Sequence, residues 1–172
     1  MPKNREGRDL LYLGLGAASV AALLLIGSYT AAIRERMLEY SEIKRLLVHL
    51  RGALSDVPLP LPRAVRSFRS ECLMRSGLLS ALTLGDGADG SFLRGRISLD
   101  GSKMDEQDKK RIIAYFDLFG KSYIGEERAR LGEEIAYFEK RAAEEKRTGE
   151  SRIKCARILA ACGFVSAVIL II

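Results

Sequence analysis

A catalytic reading of this chain has few side chains to start from. His49 is the single histidine, and Cys72, Cys155 and Cys162 are the only cysteines. A metal site built on several histidines is therefore excluded, and the cysteines stand too far apart for the short ligand spacings of structural zinc sites. A cysteine with His49 as its base is the one nucleophilic pair the composition allows, and no surrounding motif favours it. Three reduced cysteines suit a cytoplasmic domain. Cys155 and Cys162 are seven residues apart and share a helix face, where a small apolar role beside other helices is expected.

The acidic pairs Glu133 and Glu134, and Glu144 and Glu145, could suggest acid–base work. Neighbours on a helix point in different directions, however, and lysines and arginines surround them. They read as a solvated face. The stretch GDGADG at 85–90 has the three spaced glycines of a dinucleotide fingerprint, but Asp86 and Asp89 would repel a pyrophosphate. It also lacks the alternating acids of a calcium loop. A surface loop is the expectation. No phosphate-binding lysine loop is present, so any ATP hydrolysis must belong to a partner. The chain is expected to be a non-enzyme, with no catalytic, cofactor-binding or metal-binding residue.

One constellation points to binding instead. Arg63, Arg66 and Arg69 recur at three-residue spacing opposite Val65 and Phe68, forming a basic strip on one expected helix. Such a strip meets acidic protein, lipid headgroups or phosphates, or stands as an ordinary solvated face. Nucleic acid is the least favoured partner of a chain with net charge +6. Most of the remaining basic excess flanks apolar runs, and no aromatic residues interleave it for base stacking.

The elements that must position this strip begin with two greasy segments. With 48% hydrophobic residues in 172, the chain can build one modest core, yet the apolar residues are unevenly placed. Residues 10–33 carry no charge, and as a helix they would be about 36 Å long, enough to cross a hydrocarbon layer of about 30 Å. A cleaved signal peptide is the competing reading, because Lys3, Arg5 and Arg8 precede the run and Ser28 to Ala32 offers small residues for cleavage. Its apolar stretch is too long for one.

Residues 158–172 form a shorter run of about 22 Å. They can still cross if Lys154 and Arg157 snorkel to the near headgroups; a buried core helix or a re-entrant segment is the alternative. Small residues at four-residue spacing, Gly14 with Ala18 and Ala22, and Gly163 with Ala167, would let two spans approach closely. Lys3, Arg5 and Arg8 before the first span are outnumbered by the basic residues after it and before the second. By the positive-inside rule the middle of the chain is cytoplasmic.

The expected organisation is a short polar tail (1–9), a transmembrane helix (10–33), a cytoplasmic helical-bundle domain (34–157) and a second transmembrane helix (158–172). The fold class is all-α, an antiparallel bundle of about six helices flanked by the two spans. Ile33, Met37, Tyr40, Ile43, Leu47, Leu50 and Leu54 step by three or four, so the first membrane helix should continue directly into the domain. Pro58, Pro60 and Pro62 end it, with Pro62 in the first turn of a new helix that buries Val65, Phe68 and Cys72 and stops at Ser76 and Gly77. After a short run at 78–84, Asp105 or a neighbour caps a helix bearing Ile112, Ile113, Phe116 and Phe119, closed by Gly120. From about Glu126 a long helix buries Leu131, Ile135, Phe138 and Ala142, with Gly149 placed to kink or fray it. Residues 91–100 are ambiguous between strand and loop.

The motif YFDLFGKSYIG at 115–125, followed by a long charged helix and a C-terminal apolar run, resembles the stage III sporulation protein AB family. The resemblance covers nearly the whole length. It includes the charged amphipathic helix RERMLEYSEIKRLLVHLRGAL after the first span and the proline-marked turn PLPLPRAV. The family is in turn similar to a cytoplasmic helical domain of the type II secretion platform protein F. The resemblance implies a six-helix domain flanked by two spans in the mother-cell membrane facing the forespore, serving a secretion-like channel. The partners it implies are the sporulation ATPase AA and other membrane components of the stage III sporulation A complex, beside membrane lipid and self-association. Arg63, Arg66 and Arg69 are the candidate partner-binding residues. A membrane-tethered sensor or regulator unrelated to secretion is the alternative function.

Overall fold

The computed structural model describes residues 3–56, 61–84, 99–119 and 121–171, the side chains of 3–13, 15, 18, 55, 56, 61, 62, 84, 164 and 167–171 excepted. Pro58, Pro60, the 85–90 loop, residues 91–98 and Gly120 lie outside the described residues. Six helices account for almost all the rest: α1 (Lys3–Asp56), α2 (Leu61–Arg66), α3 (Glu71–Arg75), α4 (Leu78–Leu84), α5 (Glu106–Leu118) and α6 (Ile124–Ile171). The all-α expectation holds, and no strand occurs among the described residues. The chain divides into two compact units, Glu35–Lys146 and Met1–Arg34 with Arg147–Ile172.

Within Glu35–Lys146 the apolar period of α1 does what the sequence demands. Tyr40, Ile43, Leu47 and Leu50 are buried, and Leu46 joins them because positions 43, 46, 47 and 50 share one side of a helix of 3.6 residues per turn. Ile112 and Phe116 of α5, and Leu131, Ile135 and Phe138 of α6, complete the same core. Burying each large side chain is worth about 1.5–3 kcal/mol, so this stripe is the main source of stability. Arg36 pairs with Glu145, Lys44 with Glu139, and Arg128 donates to the Leu54 carbonyl, which runs α1 antiparallel to α6. Arg111 pairs with Glu134 across α5 and α6 in the same antiparallel sense as the Tyr115–Glu127 bond.

The single helix expected from Pro62 to Ser76 is broken into two. Helix α2 ends at Arg66, residues 68–70 are not helical, and Ser70 opens α3 by accepting from the Leu73 N–H at 3.3 Å. A serine at each side of the break explains it. Ser67 Oγ turns back to the Ala64 carbonyl and Ser70 caps the next turn, local bonds that compete with continuing the helix. Val65 and Phe68 are buried as expected, whereas Cys72 is half-buried.

The stop at Ser76 and Gly77 is observed. The Ser76 N–H donates to the Cys72 carbonyl and the Gly77 N–H to that of Met74, with Gly77 at φ 86°. That left-handed conformation suits glycine, because a Cβ crowds the following carbonyl there. Gly77→Ala is expected to lower stability by about 1 kcal/mol. A chemical-denaturation midpoint equal to that of the parent would contradict the cap assignment.

In Met1–Arg34 with Arg147–Ile172, the apolar run 10–33 lies in α1 and 158–171 in α6. Gly149 does not interrupt α6. Among the described residues no helix is long and apolar enough to cross a membrane. The described side chains of these segments nevertheless leave Val20, Leu23, Leu24, Leu25 and Tyr29 more than half exposed, along with Ile158, Leu159 and Val165. Ser28 Oγ, Thr30 Oγ1 and Ser166 Oγ donate to the carbonyls of Leu25, Gly27 and Cys162, so their hydroxyls are satisfied within their own helix.

Candidate functional site

The basic strip is only partly one surface. Arg63 and Arg66 lie on α2, and Arg69 lies in the non-helical link before α3. All three are exposed. Arg66 and Arg69 line an open groove of about 670 Å³ whose floor includes Val65, Phe68, Met74 and Leu79, with Ser70, Glu71, Ser80 and Thr83 around it. Arg63 is not among its lining residues.

The groove owes its shape to the break between α2 and α3, which folds the short helices against α4. Met74 is 62% exposed, an apolar contact left open beside two guanidinium groups. On its other side Phe68 is held by Arg45, whose guanidinium carbon sits 4.8 Å above the ring. Arg45 also donates to the Arg69 carbonyl at 2.8 Å, so α1 fixes the link from behind. An apolar floor with cationic walls can accept a side chain from a partner segment that also carries carboxylates.

His49 helps to build this surface. Its Nε2 lies 3.1 Å from the Ala64 carbonyl and 2.9 Å from Ser67 Oγ, and the ring packs on Phe68. Through these contacts the ring ties α1 to α2, a placement that serves packing. Cys155 and Cys162, expected beside other helices, are exposed. Among the described residues no group of three or more His, Cys, Asp or Glu is placed to hold a metal ion.

The expectation that the adjacent acids form a solvated face needs correction for two of them. Glu145 receives both Arg36 Nε and Nη2 at 2.9 and 2.7 Å, and Glu134 receives Arg111 Nε and Nη2 at 2.8 and 2.9 Å. Both carboxylates are largely covered, because an arginine from a facing helix closes over each. Glu133 remains exposed, and Glu144 is half-exposed.

At the centre of these pairs stands Asp108, 1% exposed, which composition alone gives no reason to single out. Tyr40 and Tyr137 each donate to it at 2.5 Å, from α1 and α6, and Arg141 adds Nε and Nη2 at 3.0 and 2.8 Å. Asp105, the expected helix cap, makes no side-chain cap bond; its carboxylate instead bridges Arg36 and Arg141 at 2.7 Å each. Burial opposes charge on Asp108, but the tyrosine and arginine hydrogen bonds and the Arg141 charge outweigh it and hold the carboxyl below its ordinary value. Burial, with the carboxylates beside them, pushes the Tyr40 and Tyr115 hydroxyls up.

These shifts set a pH dependence. A depressed carboxyl stabilises the fold above its unfolded value of about 3.9 and loses that contribution as pH falls through the folded value. The raised tyrosines act oppositely: their contribution is present below about pH 10 and lost as pH rises beyond it. Urea titrations at several pH values should show stability falling below about pH 4. Asp108→Asn should flatten that acid limb. An acid limb of unchanged steepness in the variant would place its origin elsewhere.

No family model, curated protein or solved structure matches the chain. The groove and the charged network therefore have to be read from their own geometry. Sequence reasoning found the arginines through their spacing. It missed Met74 and Leu79, which share no period with them and reach the same groove only because the chain turns at 68–70.

Proposed function

We propose that the chain is a membrane-anchored adaptor whose helical domain docks an acidic, amphipathic segment of a partner in the groove edged by Arg66 and Arg69. The observation that carries this reading is the contrast between two kinds of surface. The Glu35–Lys146 unit buries its apolar stripe and ties several of its charges into pairs, while leaving Leu38, Met74 and Tyr123 among its exposed apolar side chains. The α1 and α6 segments outside it expose large aliphatic side chains and turn the hydroxyls of Ser28, Thr30 and Ser166 onto their own backbone. Water penalises such surfaces and hydrocarbon does not, and helices whose polar groups are internally satisfied are what lipid accepts. With basic residues flanking both runs, the central domain faces the cytoplasm.

The resemblance to the stage III sporulation protein AB family supplies the setting: a secretion-like channel between mother cell and forespore, with the sporulation ATPase AA as the partner that hydrolyses ATP. The groove offers a docking surface, so the role is binding and transmission of assembly or motion, not catalysis. Affinity purification of the full chain from detergent-solubilised sporulating cells should recover that ATPase. Recovery of a different set of partners, with no secretion-type ATPase, would favour a membrane-tethered sensor.

Removing residues 158–172 tests the anchoring separately. The shortened chain should still resist extraction at alkaline pH through residues 10–33, keep its cooperative urea transition, and lose assembly with membrane partners. Loss of the urea transition would show that the C-terminal apolar run belongs to a core.

A further inference from the structure

Arg152, Lys154 and Arg157 of α6 are exposed and make no ion pair among the described residues. The sequence gives the reason. Residues 10–33 of α1 carry no charge, and Glu150 is the one acidic side chain of α6 beyond Lys146, so few carboxylates could meet these cations. The Glu35–Lys146 unit differs: there Arg36, Lys44, Arg111 and Arg141 each pair with a carboxylate from another helix.

Their placement on α6 is ordered. Gly149 and Ile153 are buried and Ala156 and Ala160 partly so, and steps of four and three put these residues on one side of the helix. At about 100° per residue Arg152 and Arg157 flank that side and Lys154 stands opposite it. From Arg152 to Arg157 the helix rises about 7.5 Å, comparable with one headgroup layer of about 5–8 Å. Beyond them the surface turns apolar. Ile158 is 61% exposed one turn from Lys154 on the same side, and Leu159 is 71% exposed two turns from Arg152. Unpaired cations that give way to open aliphatic side chains fit a surface that is anionic outside and hydrocarbon within. A soluble acidic protein or a nucleic acid would leave Ile158 and Leu159 in water. A zwitterionic headgroup layer offers no net charge to balance the cations.

We infer that Arg152, Lys154 and Arg157 form a binding site for the headgroup phosphates of anionic phospholipids, a lipid preference that rests on the membrane anchoring proposed above.

Electron spin resonance of the full chain reconstituted in phosphatidylcholine vesicles tests it, with traces of spin-labelled phosphatidylglycerol or spin-labelled phosphatidylcholine reporting the lipid held next to the helices. At low salt the phosphatidylglycerol label is expected to be motionally restricted at least about fivefold in preference to phosphatidylcholine, the effect of a single basic residue at an anionic surface. The combined variant Arg152→Gln, Lys154→Gln and Arg157→Gln should bring that preference close to one and leave the restricted phosphatidylcholine unchanged. Arg63→Gln, Arg66→Gln and Arg69→Gln together remove the same charge from the helical unit and should keep the parent's preference. Restricted lipid of both kinds without preference would overturn the site and leave the anchoring standing. So would an equal loss in the variant lacking Arg63, Arg66 and Arg69, which would make the effect one of net charge. Restricted lipid of neither kind would overturn the anchoring, and the site with it.

Discussion

Replacing Asp108 with alanine is expected to lower the stability of the helical unit by about 3 kcal/mol, the low end of what breaking a buried charge pair costs. The low end applies because Arg141 keeps 24% of its side chain exposed and can recover some hydration. The loss has three parts. Tyr40 and Tyr137 lose the acceptor that both hydroxyls share, Arg141 loses its best-shielded partner, and a cavity opens between α1, α5 and α6. Tyrosine fluorescence in urea is a suitable probe, since the chain has no tryptophan and two of its six tyrosines bond directly to Asp108. Glu106→Ala supplies the comparison: its side chain is 77% exposed and pairs with Lys109 three residues on, so a change within about 0.5 kcal/mol is expected. Equal effects from the two substitutions would mean that Asp108 is a surface charge in solution.

The contrast between these acids shows where the sequence is legible. The α1 stripe can be read because burial repeats with the helical period, and the cap at Gly77 can be read because few other residues adopt its φ. The role of Asp108 cannot, since its partners sit far away in sequence on α1 and α6, and an acid inside a charged helix looks the same whether solvated or paired. Glu134 and Glu145 were misjudged for that reason, their arginines coming from other helices. The break at 68–70 escapes for a different one. Val65, Phe68 and Cys72 keep a helical spacing across it, while Ser67 and Ser70 decide the outcome through local hydrogen bonds too weak to stand out from a serine's ordinary helix tolerance. That break relocates Arg69 and creates the groove, so the arginines were visible as candidates before the surface they border was.

Replacing Arg63, Arg66 and Arg69 with glutamate is expected to weaken partner recovery about a hundredfold or more while leaving the urea midpoint nearly unchanged. Exposed charges contribute under about 1 kcal/mol each to folding, whereas placing like charges against an acidic partner costs several kcal/mol, and about 2.7 kcal/mol already corresponds to a hundredfold. The groove divides the three. Arg66 and Arg69 line it and should carry most of the loss, and Arg63, outside it, should act chiefly on the association rate and its salt dependence. Pull-down of the proposed ATPase partner with the single and triple variants at two salt concentrations separates these effects, because screening over a Debye length of about 8–10 Å weakens exposed contacts first. Equal losses from Arg63→Glu and Arg69→Glu would point to a diffuse electrostatic surface with no role for the apolar floor. Unchanged recovery in the triple variant would remove the groove from the interface, leaving the exposed face of α6 over residues 126–148 as the next surface on which a partner could dock.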